Sequence, residues 1–324
     1  MVRLSATRTW HTLLNSIRGW FDSTSRGSPV DGSDNRIDWL RTLPFIAMHL
    51  ACFGVIWVGW SPVAVGTAIA LYLVRMFAIT GFYHRYFSHR SFKTSRATQF
   101  VFAVIGAASV QRGPIWWAAH HRQHHAVTEQ KEDPHSPVHH SIWWSHSGWF
   151  LSRHHFGAPK DRVRDMMQYP ELRFLDRFDT VVPAILAVSL FLIGNSLQAN
   201  APHLGTSGAQ MLVWGFVIST VALYHGTFTI NSLAHRWGKR RYATADNSRN
   251  NFWLALLTLG EGWHNNHHHY PVSVKQGFYW WEFDPTYYLL RFMSALGLVW
   301  DLKPVPVERR ESNQIASSRR KLNK

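Results

Sequence analysis

Four apolar stretches with almost no charge constrain this chain of 324 residues more than any other feature of its sequence. They cover residues 42–60, 62–83, 181–197 and 211–230, and the only charged side chain in them is that of Arg75. Roughly 20 apolar residues suffice for a helix to cross a hydrocarbon layer of ~30 Å. The sequence therefore predicts four membrane-spanning helices, with Arg75 either facing the bundle interior or reaching towards one membrane surface.

The distribution of basic residues predicts how these helices are oriented across the membrane. Little more than Ser61 and Pro62 separates the first two stretches, and the connection between the last two, residues 198–210, contains no Lys, Arg, Asp or Glu. The other segments are rich in Lys and Arg, which stay on the cytoplasmic side of a membrane. We therefore expect an all-α integral membrane protein, a four-helix bundle of two hairpins with a helical cap and both termini in the cytoplasm.

The same pattern divides the chain into three parts. Bulky apolar residues at helical spacing near the N-terminus predict an amphipathic helix on the membrane surface, followed by a flexible linker. The C-terminal residues form a basic tail that we expect to be disordered and attracted to anionic lipid. The expected boundaries are 1–41 for the helix and linker, 42–303 for the main domain with its cap at 84–180 and 231–303, and 304–324 for the tail.

Two shorter segments outside the four stretches give predictions of their own. Residues 98–110 are apolar but too short for a fifth span, so we expect a buried or re-entrant helix there. Asp284 and Pro285 are the residue types of an N-cap and a first helical position. The apolar residues that follow them predict another helix lying on the membrane surface.

Composition excludes several classes of protein. The chain has 34 Lys and Arg against 19 Asp and Glu, but the basic residues form no groove-binding motif, so we expect no nucleic acid partner. Cys52 is the only cysteine, which excludes an intrachain disulfide framework and any cysteine-based zinc or iron–sulfur site.

Three histidine clusters follow the apolar stretches. They occupy residues 84–89, 120–125 and 264–269, and a smaller site pairs Asn231 with His235. Residues three and four positions apart share one face of a helix. That spacing places together the histidines of the second cluster (His121, His124, His125) and those of the third (His264, His267, His268).

The first cluster does not fit this rule. His84 and His89 are five residues apart, about 140° around an ideal helix of ~3.6 residues per turn. Either the helix ends between these two residues, or they serve different metal ions.

Nine histidines are too many for one ion and suit two, each with four or five nitrogen ligands. Imidazole suits iron, copper, zinc and nickel, and a neutral nitrogen site without thiolate suits activation of O2 for attack on an unactivated C–H bond. Asp133, Glu132 and Glu261 lie beside the clusters and could orient the ligands. A metal buffer or transporter gate is the alternative, but it does not need helical spacing repeated at three places.

Together these motifs resemble the membrane-bound acyl-CoA desaturase family, stearoyl-CoA desaturase and its bacterial relatives. The likeness runs from Thr42 to Lys303. Beside the three histidine boxes it rests on the segments Asp133-Pro134-His135, Ser145-His146-x-Gly148-Trp149, Asn231-Ser-x-Ala-His235, Gly260-Glu261-Gly262-Trp263 and Trp300-Asp301-Leu302-Lys303.

The resemblance implies a metal-ligand set. It assigns two irons to His84, His89, His121, His124, His125, His235, His264, His267 and His268, with Asn231 reaching one iron through water. Asp133 and Glu261 would orient ligands, and Gln111, Arg112 and Trp117 would contact substrate. His120 and His269 lie outside the family register and are not expected to be ligands.

The implied reaction is desaturation. We expect a cis double bond, of the delta-9 type, to be inserted into the acyl chain of an acyl-CoA, with O2 as co-substrate and with electrons from a separate ferredoxin, rubredoxin or cytochrome-like donor and its reductase. By this resemblance the enzyme would lie in a bacterial inner membrane, with its active site in the cytoplasm.

Two departures leave alternatives open. Ala119 and His120 replace the Arg-Asp pair with which eukaryotic members hold coenzyme A, and Arg112 replaces a polar amide. An acyl chain on a phospholipid is therefore an alternative substrate. A membrane hydroxylase or alkane monooxygenase is an alternative activity, because such enzymes use similar histidine boxes.

Overall fold

The computed structural model describes residues 18–23 and 35–315, and it is mostly helical. Four helices are long and apolar enough to cross a membrane, which confirms the predicted number of spans. We call them the first to fourth spans: Trp39–Val58, Pro62–Ser88, Val181–Asn200 and Gly208–His235. Each extends beyond its predicted stretch at one end or both.

The spans contain local changes of helical pitch. Short 3-10 segments occur at Cys52–Gly54 and Leu233–His235, and π-helical segments at Ala78–Ser88 and Met211–Ile218. A further 3-10 turn, Pro202–Leu204, lies in the uncharged connection between the third and fourth spans.

Polar residues begin the spans, as expected where the first backbone N–H groups lack helical partners. The Asp38 side chain accepts a hydrogen bond from Arg41 N, and Ser61 does so from Ala64 N just before Pro62. Ser207 and Gln210 form a reciprocal capping box at the start of the fourth span. The first two spans are therefore separate helices joined by a very short turn.

Residues 89–180 follow the second span and residues 236–315 follow the fourth. Together they form what we call the head region. Its helices are Arg96–Ala107, Pro114–Ala126, Trp149–Leu151, Arg164–Met167, Pro170–Arg177, Phe252–Leu257, His264–His269, Pro285–Ala295 and Val307–Glu311. Shorter turns occupy Trp144–Gly148, His154–Phe156 and Lys160–Val163. A two-stranded antiparallel ribbon, Lys93–Thr94 with Val299–Trp300, joins the beginning of this region to a point near its end.

Two apolar cores stabilise this arrangement. A small one lies between the second, third and fourth spans around Ala64, Leu190 and Met211. The larger one joins the C-terminal half of the second span to the head region, and Phe82 and Phe87 are fully buried in it. The head region is thus packed onto the span that carries the first histidine box.

Both shorter segments form helices, as predicted. Residues Arg96–Ala107 form an apolar helix that is shorter than the four spans. One face of this helix is buried, and Phe100 and Val101 on the other face are exposed. The helix Pro285–Ala295 begins as predicted, with the Asp284 side chain accepting a hydrogen bond from Tyr287 N.

The terminal segments correct one expectation and leave another untested. Within the tail, Val307–Glu311 is helical, Gln314 pairs with Tyr242, and Ile315 N donates to Arg241 O, so residues 304–315 are not a disordered tail. These backbone hydrogen bonds give the segment an ordered position. Most of the expected N-terminal amphipathic helix, and residues 316–324, lie outside the described residues.

Arg75 faces the bundle interior, the first of the two positions expected for it. Its side chain is buried and donates hydrogen bonds to Ala108 O at 3.0 Å, Thr220 Oγ1 at 2.7 Å and Ser219 Oγ at 2.6 Å. The guanidinium therefore joins the second span to the fourth and to the end of the helix Arg96–Ala107.

A second buried arginine, Arg85, holds the head region against the second span. Its guanidinium lies 3.0 Å from Glu261 Oε1 and 3.0 Å from Asp284 Oδ1, and it donates to Val274 O at 2.8 Å. Gly260 has φ +122°, and a Cβ there would lie 2.4 Å from Asp284 Oδ1, so glycine is required for this approach.

We expect Arg85→Met to lower the free energy of unfolding by about 3 to 5 kcal/mol, because it leaves two buried carboxylates without their cation. Chemical unfolding of the purified protein in detergent measures this change. Arg173→Met, at an exposed arginine, is the control and should change the unfolding free energy little. Equal effects of the two substitutions would contradict the assigned role of Arg85.

Candidate metal centre

Nine buried or partly buried histidines form two adjoining groups, each able to hold a metal ion. In both groups the candidate nitrogen atoms lie within 4.8 Å of one another. Group A consists of His84, His89, His121, His125 and His267. Group B consists of His124, His235, His264 and His268. The structure therefore brings together all nine histidines singled out in the sequence.

Local helix geometry explains how His84 and His89 reach the same group. The second span widens to a π-helix at Ala78–Ser88, and His89 N donates to His84 O at 3.2 Å, an i to i−5 hydrogen bond. Residues five apart are neighbours in such a turn, unlike in an α-helix. The helix ends at Ser88, as the first alternative required, and the two rings share one group.

Three elements carry the remaining histidines. The helix Pro114–Ala126 places His121 and His125 in group A and His124 in group B. The helix His264–His269 places His267 in group A and both His264 and His268 in group B. The 3-10 turn that ends the fourth span carries His235 of group B. Both histidine-rich helices thus contribute to both groups, which keeps the two groups adjacent.

Within group A, the Nε2 atoms of the histidine rings face one another. His84 Nε2 and His125 Nε2 lie 3.1 Å and 2.9 Å from His267 Nε2, and His89 Nε2 lies 2.8 Å from His121 Nε2. A neutral imidazole has one N–H and one lone pair. Several lone pairs directed at one point fit a bound cation.

In group B three buried nitrogens have no hydrogen-bond partner: His264 Nδ1, His124 Nε2 and His268 Nε2. In the last two rings the other nitrogen is bonded to a carboxylate: His124 Nδ1 to Asp133 at 3.0 Å, and His268 Nδ1 to Asp246 at 2.6 Å. A proton on Nδ1 leaves the Nε2 lone pair free, so this donor set fits a divalent transition metal.

Two further carboxylates orient ligands. Glu261 Oε2 lies 2.6 Å from His84 Nδ1, and Glu129 Oε1 lies 3.2 Å from His235 Nδ1. Glu129 is itself held by Asn247, whose N and Nδ2 donate to it at 2.9 and 2.8 Å. Group B therefore has three orienting carboxylates and group A has one among the described residues.

Burial favours the neutral form of four rings in group A. Desolvation, reinforced by the neighbouring histidines, lowers the pKa of His89, His121, His125 and His267 well below the usual value. In group B, burial lowers the pKa of His268 to about 4 although Asp246 opposes the shift. A neutral imidazole is the form that binds a metal.

The expectations for orienting residues were partly right. Asp133 and Glu261 contact ligand rings as expected, whereas Glu132 is exposed and its expected role is wrong. Sequence reasoning missed Glu129 and Asp246. Glu129 lies only four residues beyond His125, a proximity that could have pointed to it, but nothing in the sequence near Asp246 indicates its partner.

Two extra histidines are not ligands, as expected. His120 Nε2 donates to Gly157 O at 2.9 Å. His269 Nε2 donates to Arg309 O at 2.6 Å, and its ring stacks on Tyr242 with centroids 3.9 Å apart. A third histidine, His135, is buried with its ring centroid 4.3 Å from that of His124.

Two cavities meet beside the histidine groups. The outer one has a volume of about 260 Å³ and the inner one about 50 Å³. Both are lined by Trp117, His121, Thr227 and Asn231, so the two cavities adjoin beside the centre, and we call them together the path. Its walls are mainly apolar, as a hydrocarbon chain would require.

The expected substrate residues line the outer cavity. Gln111 Nε2 donates to Thr227 Oγ1 at 2.9 Å, Arg112 lies 3.2 Å from Asp179, and the Trp117 ring stacks on His121. Val110 and Arg112 have φ of 58° and 69°, conformations that cost energy for residues with a Cβ. Both strained residues line the outer cavity.

Comparisons with known proteins agree with this geometry. The sequence profile of the fatty acid desaturase family matches residues 58–302. A chloroplastic palmitoyl-monogalactosyldiacylglycerol delta-7 desaturase of Arabidopsis thaliana is 38% identical over 74% of this chain, and the match covers 62% of that relative's length.

Two other relatives are matched over most of their length. An acyl-CoA C20 Delta5-desaturase of Anemone leveillei is 34% identical over 86% of this chain and 89% of its own. An sn-1 stearoyl-lipid 9-desaturase of Anabaena variabilis is 35% identical over 83% of this chain and 94% of its own. The named substrates of these relatives thus include both coenzyme A thioesters and membrane lipids.

We expect Asp246→Asn to weaken metal binding by about 10- to 100-fold, because the amide no longer accepts the His268 Nδ1 proton as a charged group. Metal content by mass spectrometry, with competition by a chelator, measures the change. Asp161→Asn, at an exposed carboxylate paired with Arg162, is the matched control and should retain its metal. Unchanged affinity in the Asp246 variant would show that this carboxylate does not support a ligand.

Proposed function

The chain belongs to the fatty acid desaturase family, and on that premise we propose that it inserts a cis double bond into a long saturated acyl chain at two irons bound by groups A and B. As a member of this family it is an oxidoreductase that acts with O2. The observation that carries the proposal is the apolar path, whose two cavities share the lining residues Trp117, His121, Thr227 and Asn231 beside the histidines.

Iron is the metal we propose for both groups. The donor set is all imidazole, with four or five rings for each ion and Asn231 close enough to the path to act through water. Two irons in such a site supply the O2 activation that hydrogen removal from an unactivated C–H bond requires. Overall, the saturated chain, O2, two electrons and two protons give the alkene and two molecules of water.

The protein's own residues determine which carbons react. A saturated chain offers no polar group at the reacting position, so only the shape of the path can select it. Trp117 forms the wall next to His121, and Gln111 with Thr227 fixes the opposite wall. We propose that these contacts hold one CH2–CH2 unit against the centre, in the manner of a delta-9 desaturase.

Electrons are proposed to come from a separate protein. The sequence contains no haem-binding His-Pro-Gly-Gly motif, no cysteine cluster and no glycine-rich dinucleotide fingerprint. A ferredoxin, rubredoxin or cytochrome-like donor with its reductase would meet this need, and an acidic donor would be steered by the basic chain.

We expect expression of the gene in a host deficient in unsaturated fatty acids to restore alkenes to its lipids. Mass spectrometry with double-bond mapping gives the product and its position. His124→Ala removes a group B ligand and should abolish the product, whereas His203→Ala, in the connection between the third and fourth spans, should not. An alcohol in place of the alkene would identify a hydroxylase instead.

The electron requirement is tested with the purified, iron-loaded protein. NAD(P)H alone should give no turnover, and addition of ferredoxin with its reductase should start the reaction. Turnover with NAD(P)H and no carrier would contradict the proposal of a separate donor.

We also propose that the head region and both ends of the chain lie in the cytoplasm, in a bacterial cell at the inner membrane. The support is the distribution of charge: the turn at Gly59–Ser61 and the connection 198–210 carry none, and the segments 84–180 and 231–324 are basic. His84 and His235, at the ends of the second and fourth spans, would then face the same side.

This orientation predicts opposite labelling at two introduced cysteines. In a Cys52→Ser background, Ala201→Cys should react with a membrane-impermeant maleimide in intact spheroplasts, and Lys239→Cys should react only after lysis. Mass shifts of the purified variants measure labelling. The reverse pattern would place the head region outside the cytoplasm.

A further inference from the structure

The outer cavity reaches the protein surface where two spans begin. Its lining includes Arg41 and Pro44, within the first two turns of the first span, and Asp179 and Thr180, directly before the third. The first residues of a span lie at the boundary between hydrocarbon and water. We call this end of the cavity the mouth, and it lies at the level of the membrane surface.

Residues from before the first span close one side of the mouth. Gly19 and Trp20 line the cavity, and Trp20 Nε1 donates to Leu40 O at 3.2 Å. Ser23 Oγ donates to Asp176 O at 2.9 Å. This short segment is thus attached to the start of the first span and to the helix that precedes the third span.

Large apolar side chains are exposed on residues close in the chain to the lining residues Trp20, Arg41 and Pro44. Trp39 is 69% exposed, Phe21 61% and Leu43 49%. Aromatic residues at the end of a span are typical of the membrane–water interface. We call these three exposed residues the rim of the mouth, and their apolar surface suits contact with lipid rather than with water.

Charges at the mouth are balanced, in contrast to the net charge of +15 of the whole chain. The two arginines that line the cavity each have an aspartate: Arg112 Nε lies 3.2 Å from Asp179 Oδ2, and Arg41 Nε lies 3.6 Å from Asp38 Oδ2. Both guanidiniums also lie over the ring of Phe156, at 3.0 and 3.9 Å from its centroid.

A third pair lies next to these. Arg177 Nη2 is 2.7 Å from Asp22 Oδ2, which ties the segment before the first span to the end of the helix Pro170–Arg177. Every arginine named at the mouth, within the described residues, therefore has a carboxylate oxygen within 3.6 Å of its guanidinium. A polyanionic head group would have to compete with these aspartates for each cation.

The balanced charge and the apolar rim distinguish two possible acyl carriers. Coenzyme A bears several phosphate charges, and a site for it requires cations that are not already neutralised. A glycerolipid keeps its ester groups at the membrane surface and its chain in the hydrocarbon layer. Its chain could pass from the bilayer into the mouth without carrying charge past the paired arginines.

We propose that the substrate is an acyl chain of a membrane glycerolipid, which enters sideways from the bilayer through the mouth between the first and third spans. This inference rests on the proposed desaturase function and narrows its substrate from two carriers to one. The neutral or zwitterionic part of the lipid remains at the rim, while the chain extends past Trp117 to the histidine groups.

The test is a single turnover that needs no donor protein. Iron-loaded enzyme in nanodiscs is reduced with dithionite, freed of excess reductant and exposed to O2. One sample contains distearoyl-phosphatidylcholine as the only saturated lipid, and the other contains stearoyl-CoA in nanodiscs of unsaturated lipid. New double bonds are quantified by mass spectrometry in the phospholipid and thioester fractions.

We expect at least about tenfold more double bonds in the phospholipid than in stearoyl-CoA. Product in stearoyl-CoA but not in phosphatidylcholine would overturn this inference and leave the proposed function intact. No product from either, with two irons bound, would overturn both.

A variant pair tests the route of entry. Leu43→Asp puts a charge on the rim and should lower phospholipid turnover severalfold without changing iron content, because the rim then repels the bilayer. Val307→Asp, at a similarly exposed apolar residue of the C-terminal helix, is the control and should leave turnover unchanged. Equal turnover in the two variants would contradict entry at the rim.

Discussion

Mutual packing of imidazole nitrogens is the constraint on which this structure depends. His267 Nε2 faces nitrogens of both His84 and His125 within 3.1 Å, in a buried setting that lowers the pKa of the His267 ring. Nitrogens at such distances need either a shared proton or a cation between them, and burial removes the water that could separate them. The four elements that carry the nine histidines therefore gain their preferred arrangement from metal binding, and the surrounding hydrogen bonds serve to hold those elements in register.

Irregular helix geometry occurs where the chain must present these ligands. A regular α-helix cannot place residues five apart on one side, and the π-helix at Ala78–Ser88 removes that obstacle for His84 and His89. The fourth span ends in a 3-10 turn, Leu233–His235, which carries the ligand His235. Each departure replaces ordinary helical hydrogen bonds at the end of a span, where the head region packs on it. The contacts of Arg85 with Glu261 and Asp284 join the second span to the segments before and after the third histidine box.

The sequence alone predicted features that depend on local spacing and on composition. Four spans follow from runs of apolar residues, and the shared faces of His121, His124 and His125 follow from helical periodicity. It did not predict contacts between distant segments. Glu129 meets His235, 106 positions away, through a loop whose course no periodicity specifies. The ordered residues 304–315 were missed for the same reason, because Tyr242 and His269 hold them through backbone carbonyls, which any side chain would supply. A pitch change such as that at Ala78–Ser88 has no simple residue signature either.

Carboxylates have different roles at the two ends of the path. Carboxylates near the centre are used to orient imidazoles, whereas those at the mouth neutralise arginines, as Asp179 does for Arg112. Between these zones the path is walled by Trp117 and other apolar groups, and the strained residues Val110 and Arg112 shape it. A hydrocarbon chain can cross this neutral zone at little electrostatic cost, but a group with full charge cannot. Because the polar networks are confined to the two ends, the path itself can select a carbon–carbon bond by length and curvature alone.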